Sequence, residues 1–252
     1  IFKETEYFEA YHAAVELHKT NPGATPQLFG GLSMVTSEEN SSIVQSIMIV
    51  VDGSLDINKA TIKNYMANGA NHSVIQINNG GITTLNSGAK LIHNASHNSG
   101  TVVLLKAGSK LIINDGAEIS GNYFGANGGC ILNTSGTVVM NGGIIKDNYG
   151  VNSNGTVIML YGSNSIFKLY GGEICGNMSL AGTGAGFCSA IYLHSGGNME
   201  MTGGTICHNI GYYYGGIYQK ANSEYLKISG GNVIDNAGMA DKGKPNLYIQ
   251  TD

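Results

Sequence analysis

The chain has 252 residues, of which 38 are Gly; all 13 of its basic residues are Lys, it has no Arg and no Trp, and its net charge is −4. An apolar share of 42% can build a sizeable core and excludes a disordered chain, while Gly without a three-residue period and only 3 Pro exclude collagen. With no basic cluster the chain lacks the electrostatic footprint of a nucleic-acid binder, and its longest apolar run, Ile47–Val51, is far short of the about 20 residues that cross a bilayer.

Read from the amino terminus, residues 3–19 hold most of the early charge and set Phe8, Tyr11, Val15 and His18 on one helical face. Asn21-Pro22-Gly23 stops that pattern. The expectation is a capping helix within residues 1–27, acting as a lid, and an irregular lead-in over 28–54. The chain starts at Ile1 rather than Met, so the lack of a leader says little about compartment.

From residue 55 to 252 the chain repeats itself every 28 residues or so. The clearest copies are Met140–Asn148, Leu169–Asn177, Met201–Asn209 and Ile228–Asn236, each reading apolar-x-Gly-Gly with an Asn at the ninth place. Three apolar columns run through the copies. The first is Ile57, Leu85, Ile113, Met140, Leu169, Met201 and Ile228; the second is Ile62, Leu91, Ile119, Ile145, Ile174, Ile206 and Val233. The third is Ile75, Val103, Ile131, Ile158, Ile191, Ile217 and Leu247. Each column lies in a short β-prone segment bounded by Gly, Asn or Ser. Three short strands per repeat, with like residues at like positions, describe a parallel β-solenoid whose coils stack about 4.8 Å apart. A hexapeptide solenoid has too short a period and a propeller too long a one.

Asn94, Asn122, Asn148, Asn177, Asn209 and Asn236 recur after the second strand. Asn tolerates the left-handed backbone of a sharp turn, and stacked amides hydrogen-bond from coil to coil. Lys168, Glu200 and Lys227 fall at one position of successive coils with alternating sign, as in-register pairing favours. After the strand Asn246–Gln250 no second lid follows, so the chain is expected to be part of a longer, multi-domain protein.

Two constellations carry possible acid–base chemistry. Glu118 and Glu173 share a column two coils apart, about 10 Å, marginal for an inverting carboxyl pair. His208 and Asp235 are neighbours in the column before the turn Asn; the plain alternative is a solvated turn. Cys175 and Cys207 also share a column, but in-register side chains point in parallel, so reduced thiols are expected. No metal-ligand spacing and no phosphate or calcium loop occurs, so no metal or cofactor is expected.

The aromatic residues are clustered. Tyr123-Phe124, Tyr149, Phe187 and Tyr212-Tyr213-Tyr214 lie in the variable segment after the turn Asn, where loops are expected to line one edge of the rod. The middle of the third strand reads Gln76, Leu104, Leu132, Met159, Tyr192, Tyr218 and Tyr248, so the last three Tyr should form an outward ladder. Tyr faces beside Asn, Ser and Gly suit sugar rings; the alternative is that stacked Tyr steadies parallel strands.

The repeated phrase apolar-x-Gly-Gly-x-Ile-x-x-Asn, as in Met201–Asn209, resembles the right-handed parallel β-helix repeats of bacterial and archaeal surface proteins in the pectin-lyase-like superfamily. The resemblance covers residues 55–252 and implies an all-β fold: a single-stranded right-handed parallel β-helix of about seven coils, here with an N-terminal capping α-helix. It further implies an extracellular or cell-surface setting and adhesin-like or polysaccharide-directed work. The lyases of that superfamily use a catalytic Arg, absent here. The polygalacturonase signatures fail too: Asn133-Thr134 is followed by Ser135, and no Gly-His-Gly or Asp-Asp occurs. The expectation is a non-catalytic module that binds a polysaccharide or glycoprotein glycan through Tyr212, Tyr213, Tyr214, Tyr192, Tyr218 and Tyr248. Its alternatives are a glycoside hydrolase or polysaccharide lyase with an atypical site, and a plain spacer.

Overall fold

An apolar residue that recurs at one position of every repeat stays dry by sitting directly on its predecessor. The computed structural model has this arrangement and describes residues 47–68, 72–97, 101–124, 129–151, 156–180, 190–194, 196–221, 225–239 and 245–250. The expected capping helix and most of the lead-in lie outside the described residues, among which there is no helix.

Each coil gives one strand to each of four sheets, in which all strands pair in parallel. Sheet 1 runs from Ser54–Ile57 to Tyr225–Ile228, sheet 2 from Thr61–Lys63 to Asn232–Ile234, and sheet 3 from Met66–Asn68 to Ala237–Gly238. These three sheets have seven strands each, so the chain winds through about six turns from the first coil to the seventh. Sheet 4 has eight, because Ile49–Val51, within the lead-in, already pairs with Ser73–Ile77.

All three apolar columns hold their register. Leu85 pairs with Ile57 and Ile113, Ile145 with Ile119 and Ile174, and Ile191 with Ile158 and Ile217. From coils two to six these columns are fully buried. The expectation of three strands per coil is corrected to four. Directly after the turn Asn comes a further strand of two or three residues, such as Tyr123–Phe124 and Tyr149–Val151, where variable loops were expected. At two or three residues these strands are too short for an apolar alternation to mark them.

The turn between sheets 2 and 3 is left-handed one residue earlier than expected. Asn64, His93, Gly121, Asp147, Gly176, His208 and Asp235 have φ between 52° and 68°, and the Asn that follows each from His93 on turns inward instead. There the Asn side chains form a continuous ladder. The Oδ1 of each accepts both the backbone N–H and the Nδ2 of the Asn one coil earlier, at 2.8–3.1 Å from Asn94 through to Asn236. Each Nδ2 also reaches a sheet 2 carbonyl of the previous coil, such as Leu91 for Asn122 and Ile119 for Asn148. Fully satisfied amides are what lets so much polarity stay buried.

The seventh coil differs from those below it. Its core-column residues Ile228 and Leu247 are 41% and 42% exposed, whereas Met201 and Ile217, one coil earlier, are fully buried. Among the described residues, the apolar columns are thus least covered at the seventh coil.

Candidate functional site

Alternation along sheet 4 fixes where its aromatic residues point. Ile191 and Ile217 enter the lumen, so Tyr192 and Tyr218 lie on the opposite face, in register with each other and with Tyr248. The expected ladder is present, with one ring more than expected. Tyr214, from the segment between sheets 3 and 4 of coil six, stacks on Tyr218 at 4.2 Å and on Tyr248 at 4.9 Å. Tyr192 stacks on Tyr218 at 5.0 Å, so four nearly parallel rings form one pile. Gly215 makes the insertion of Tyr214 possible, because a Cβ there would collide with the backbone of Ala237 in coil seven.

The pile is a packed structure more than an open face. Tyr192 and Tyr218 are only 2% and 3% exposed and cluster with Leu104, Leu132 and Met159. The Tyr218 hydroxyl donates to Gln250 Oε1 at 2.6 Å. Tyr212, Tyr213, Tyr214 and Tyr248 keep part of their surface in solvent, with Tyr212 edge-on to Tyr213 at 4.7 Å. Of the six expected ligand contacts, these four form the accessible rim and the other two its support. Phe124 and Tyr149, expected on the loop edge, are buried parts of sheet 3 strands, and burial pushes the hydroxyl of neighbouring Tyr123 up to about 12. Phe187 lies outside the described residues.

Beside the pile stands a group that sequence reasoning missed. One residue past each sheet 4 strand comes the column Asp52, Asn78, Lys106, Thr134, Tyr161, His194, Lys220 and Gln250. The His194 ring packs on Tyr161 at 4.8 Å and edge-on to Tyr192 at 5.4 Å, and its Nε2 lies 3.4 Å from Lys220 Nζ. Burial, and then the Lys220 charge, hold the imidazole below the usual histidine range, so it is neutral at pH 7 and can accept from the ammonium. Extending the third strand by one position down the repeats would have revealed this column.

The acid–base candidates are placed as the register requires. Ile144 stands between Glu118 and Glu173, as expected. Glu118 is bound to Lys90 Nζ at 2.9 Å and to the Ser120 hydroxyl at 2.7 Å. Partial burial pushes its carboxyl up, but these hydrogen bonds and the charges of Lys90 and Lys146 outweigh that and hold it below the usual range, the reverse of a general acid. His208 and Asp235 are exposed and occupy the left-handed turn position. His, Asp and Asn are the residues that tolerate this backbone best after Gly, which accounts for the column without chemistry. Among the described residues no group of three His, Cys, Asp or Glu side chains is placed to hold a metal.

The expectation of four reduced thiols is corrected. Cys175 and Cys207 form a disulfide between coils five and six, with Cα atoms 4.7 Å apart. Parallel register brings the two Cα atoms inside the range a disulfide spans, and rotation about each Cα–Cβ bond turns the sulfurs together. Cys130 is a free, buried thiol, and Cys188 lies outside the described residues.

No protein-family model, curated protein or solved structure matches the chain.

Proposed function

We propose that this chain is a non-catalytic β-helix module of a secreted or cell-surface microbial protein, of the pectin-lyase-like type, that binds glycan through the tyrosine rim of coils six and seven. The observation that carries the reading is the four-ring pile, which holds Tyr214 and Tyr248 in fixed orientation beside Tyr212 and Tyr213 with surface still exposed. Preorganised aromatic faces lose little entropy when a sugar ring settles on them. The Cys175–Cys207 disulfide favours an oxidising, extracellular compartment. Against an enzyme stand the ion-paired Glu118 and the turn role of His208 and Asp235.

A glycan array probed with the full chain, with Tyr212→Ala/Tyr213→Ala and with Tyr248→Ala tests the reading. Binding by the parent and loss in both variants, with an unchanged far-UV spectrum, supports it; binding that survives both moves the site elsewhere. A spacer is the second reading, favoured by the near-complete burial of Tyr192 and Tyr218, whose stacking steadies sheet 4 without any ligand. An array with no hit would favour it.

A further inference from the structure

In a solenoid each coil is held only by its neighbours, so opening is easiest where a neighbouring coil is least well packed. Of the two neighbours of coil six, coil seven is the less well packed: its core-column residues Ile228 and Leu247 are 41% and 42% exposed, whereas Leu169, Ile174 and Ile191 of coil five are fully buried. Coil six therefore rests on a weak neighbour above and depends on coil five below. The Cys175–Cys207 disulfide lies across that very boundary, joining the sheet 2 strand Glu173–Cys175 of coil five to Thr205–Cys207 of coil six. Everything carboxy-terminal to it includes Tyr212, Tyr213, Tyr214, Tyr218 and Tyr248, while Tyr192 belongs to coil five.

We propose that the disulfide is a redox-sensitive clasp: closed, it keeps coils six and seven and their tyrosines on the solenoid; reduced, it lets them open as a unit. With the bond in place, an opened coil six stays tethered at Cys207, and the chain between residues 175 and 207, a sequence separation of 32, remains a closed loop. Removing that restriction raises the population of the open form on the order of 10²–10³-fold. The exchange step is balanced. A thiolate of a dithiol reductant attacks one sulfur and breaks the S–S bond, and its second thiol displaces the mixed disulfide. Two electrons and two protons pass to Cys175 and Cys207, which end as thiols, and the reductant leaves as a cyclic disulfide. Cys175 is partly exposed on the outer face of sheet 2 and within reach of a reductant. Cys130 is not a competitor, because full burial pushes its thiol far above the usual range.

The inference does not depend on glycan binding, and its test uses no ligand. Native hydrogen exchange is followed by mass spectrometry in the oxidised chain, the dithiothreitol-reduced chain and Cys175→Ser/Cys207→Ser. The expected result is exchange at least about 100-fold faster over residues 198–239 in both reduced forms. Residues 82–146 should change by no more than a few-fold, and part of the near-UV tyrosine signal should be lost. Unchanged exchange over 198–239 after reduction would overturn the proposal, as would acceleration spread evenly from 82 to 239. If the double variant does not fold, the reduced parent chain decides between these outcomes.

Discussion

Asn236 donates both its backbone N–H and its Nδ2 to the Oδ1 of Asn246, at 3.1 and 3.0 Å. Every earlier Asn of the ladder gives the same pair of hydrogen bonds to the Asn of the next coil. Asn246 instead lies ten residues further on in the same coil, just before the strand Leu247–Ile249. Earlier coils place Val74, Val102, Cys130, Val157, Ala190 or Gly216 at its position, and one amide there closes the ladder from within.

Interior and terminal members of the ladder should therefore differ in weight. Asn148→Leu strips the acceptor from two Asn122 donors and the donor from Ile119, all buried, and should cost about 3 kcal/mol or more. For a chain of this size that lowers the melting temperature by roughly 6–12 °C. Asn246→Ala should cost about 1–2 kcal/mol and speed amide exchange only in coil seven. Equal losses from the two substitutions, measured by calorimetry, would contradict this hierarchy.

Gly150 and Phe124 are matched in volume across two coils. A Cβ on Gly150 would overlap the ring of Phe124, which is fully buried in the core. Gly150→Ala should cost about 1–3 kcal/mol. Adding Phe124→Leu should recover part of that loss, so a double-mutant cycle by urea unfolding should give a coupling of at least about 0.5 kcal/mol.

His208 is exposed at φ 52°. His208→Gly should raise stability by about 1 kcal/mol, and His208→Val should lower it by about the same or more, because a branched Cβ fits the left-handed region worst. Any polysaccharide-cleaving activity should be untouched by either change if the residue serves the turn alone. A loss confined to activity would restore a chemical role.

Glu118 carries a definite pH signature. Its folded pKa lies below the ordinary value of 4.5, so its contribution is fully present above that value and lost as pH falls through the folded pKa. Lys90 is about half exposed, with 46% of its side-chain surface in solvent, so solvent screening limits the effect to under about 1 kcal/mol. Denaturant titrations from pH 7 to 3 should show a shallower acid decline in Glu118→Gln than in the parent chain.

Much of the fold was legible because a stacked lumen demands the same residue class at the same place in each repeat. The repeat alone assigns Ile145 and Leu169 to their coil and face. What stayed hidden follows other physics. Strands such as Ile210–Gly211 hold too few residues to show a period. Asn122 looked like a turn residue by composition, yet Gly121 takes the left-handed backbone and Asn122 the buried seat. Alternation assigned Tyr192 and Tyr218 to the outer side of sheet 4, but a face's direction does not reveal whether it is covered. For Cys175 and Cys207, equating parallel Cβ directions with distant sulfurs ignored side-chain rotation.

The ladder also has a sense: from Asn94 to Asn209, every hydrogen bond from one Asn to another is donated to the Asn of the coil that comes next in the chain. A nascent solenoid is thus always one coil short of satisfying its newest Asn, and each added turn passes that debt forward. Asn246 settles it. Whole repeats could be inserted or deleted upstream, between Asn94 and Asn209 for instance, with the same amide still ending the series. The ladder is then an adjustable ruler, its length set by counting coils and its last pair of donors answered by a single side chain.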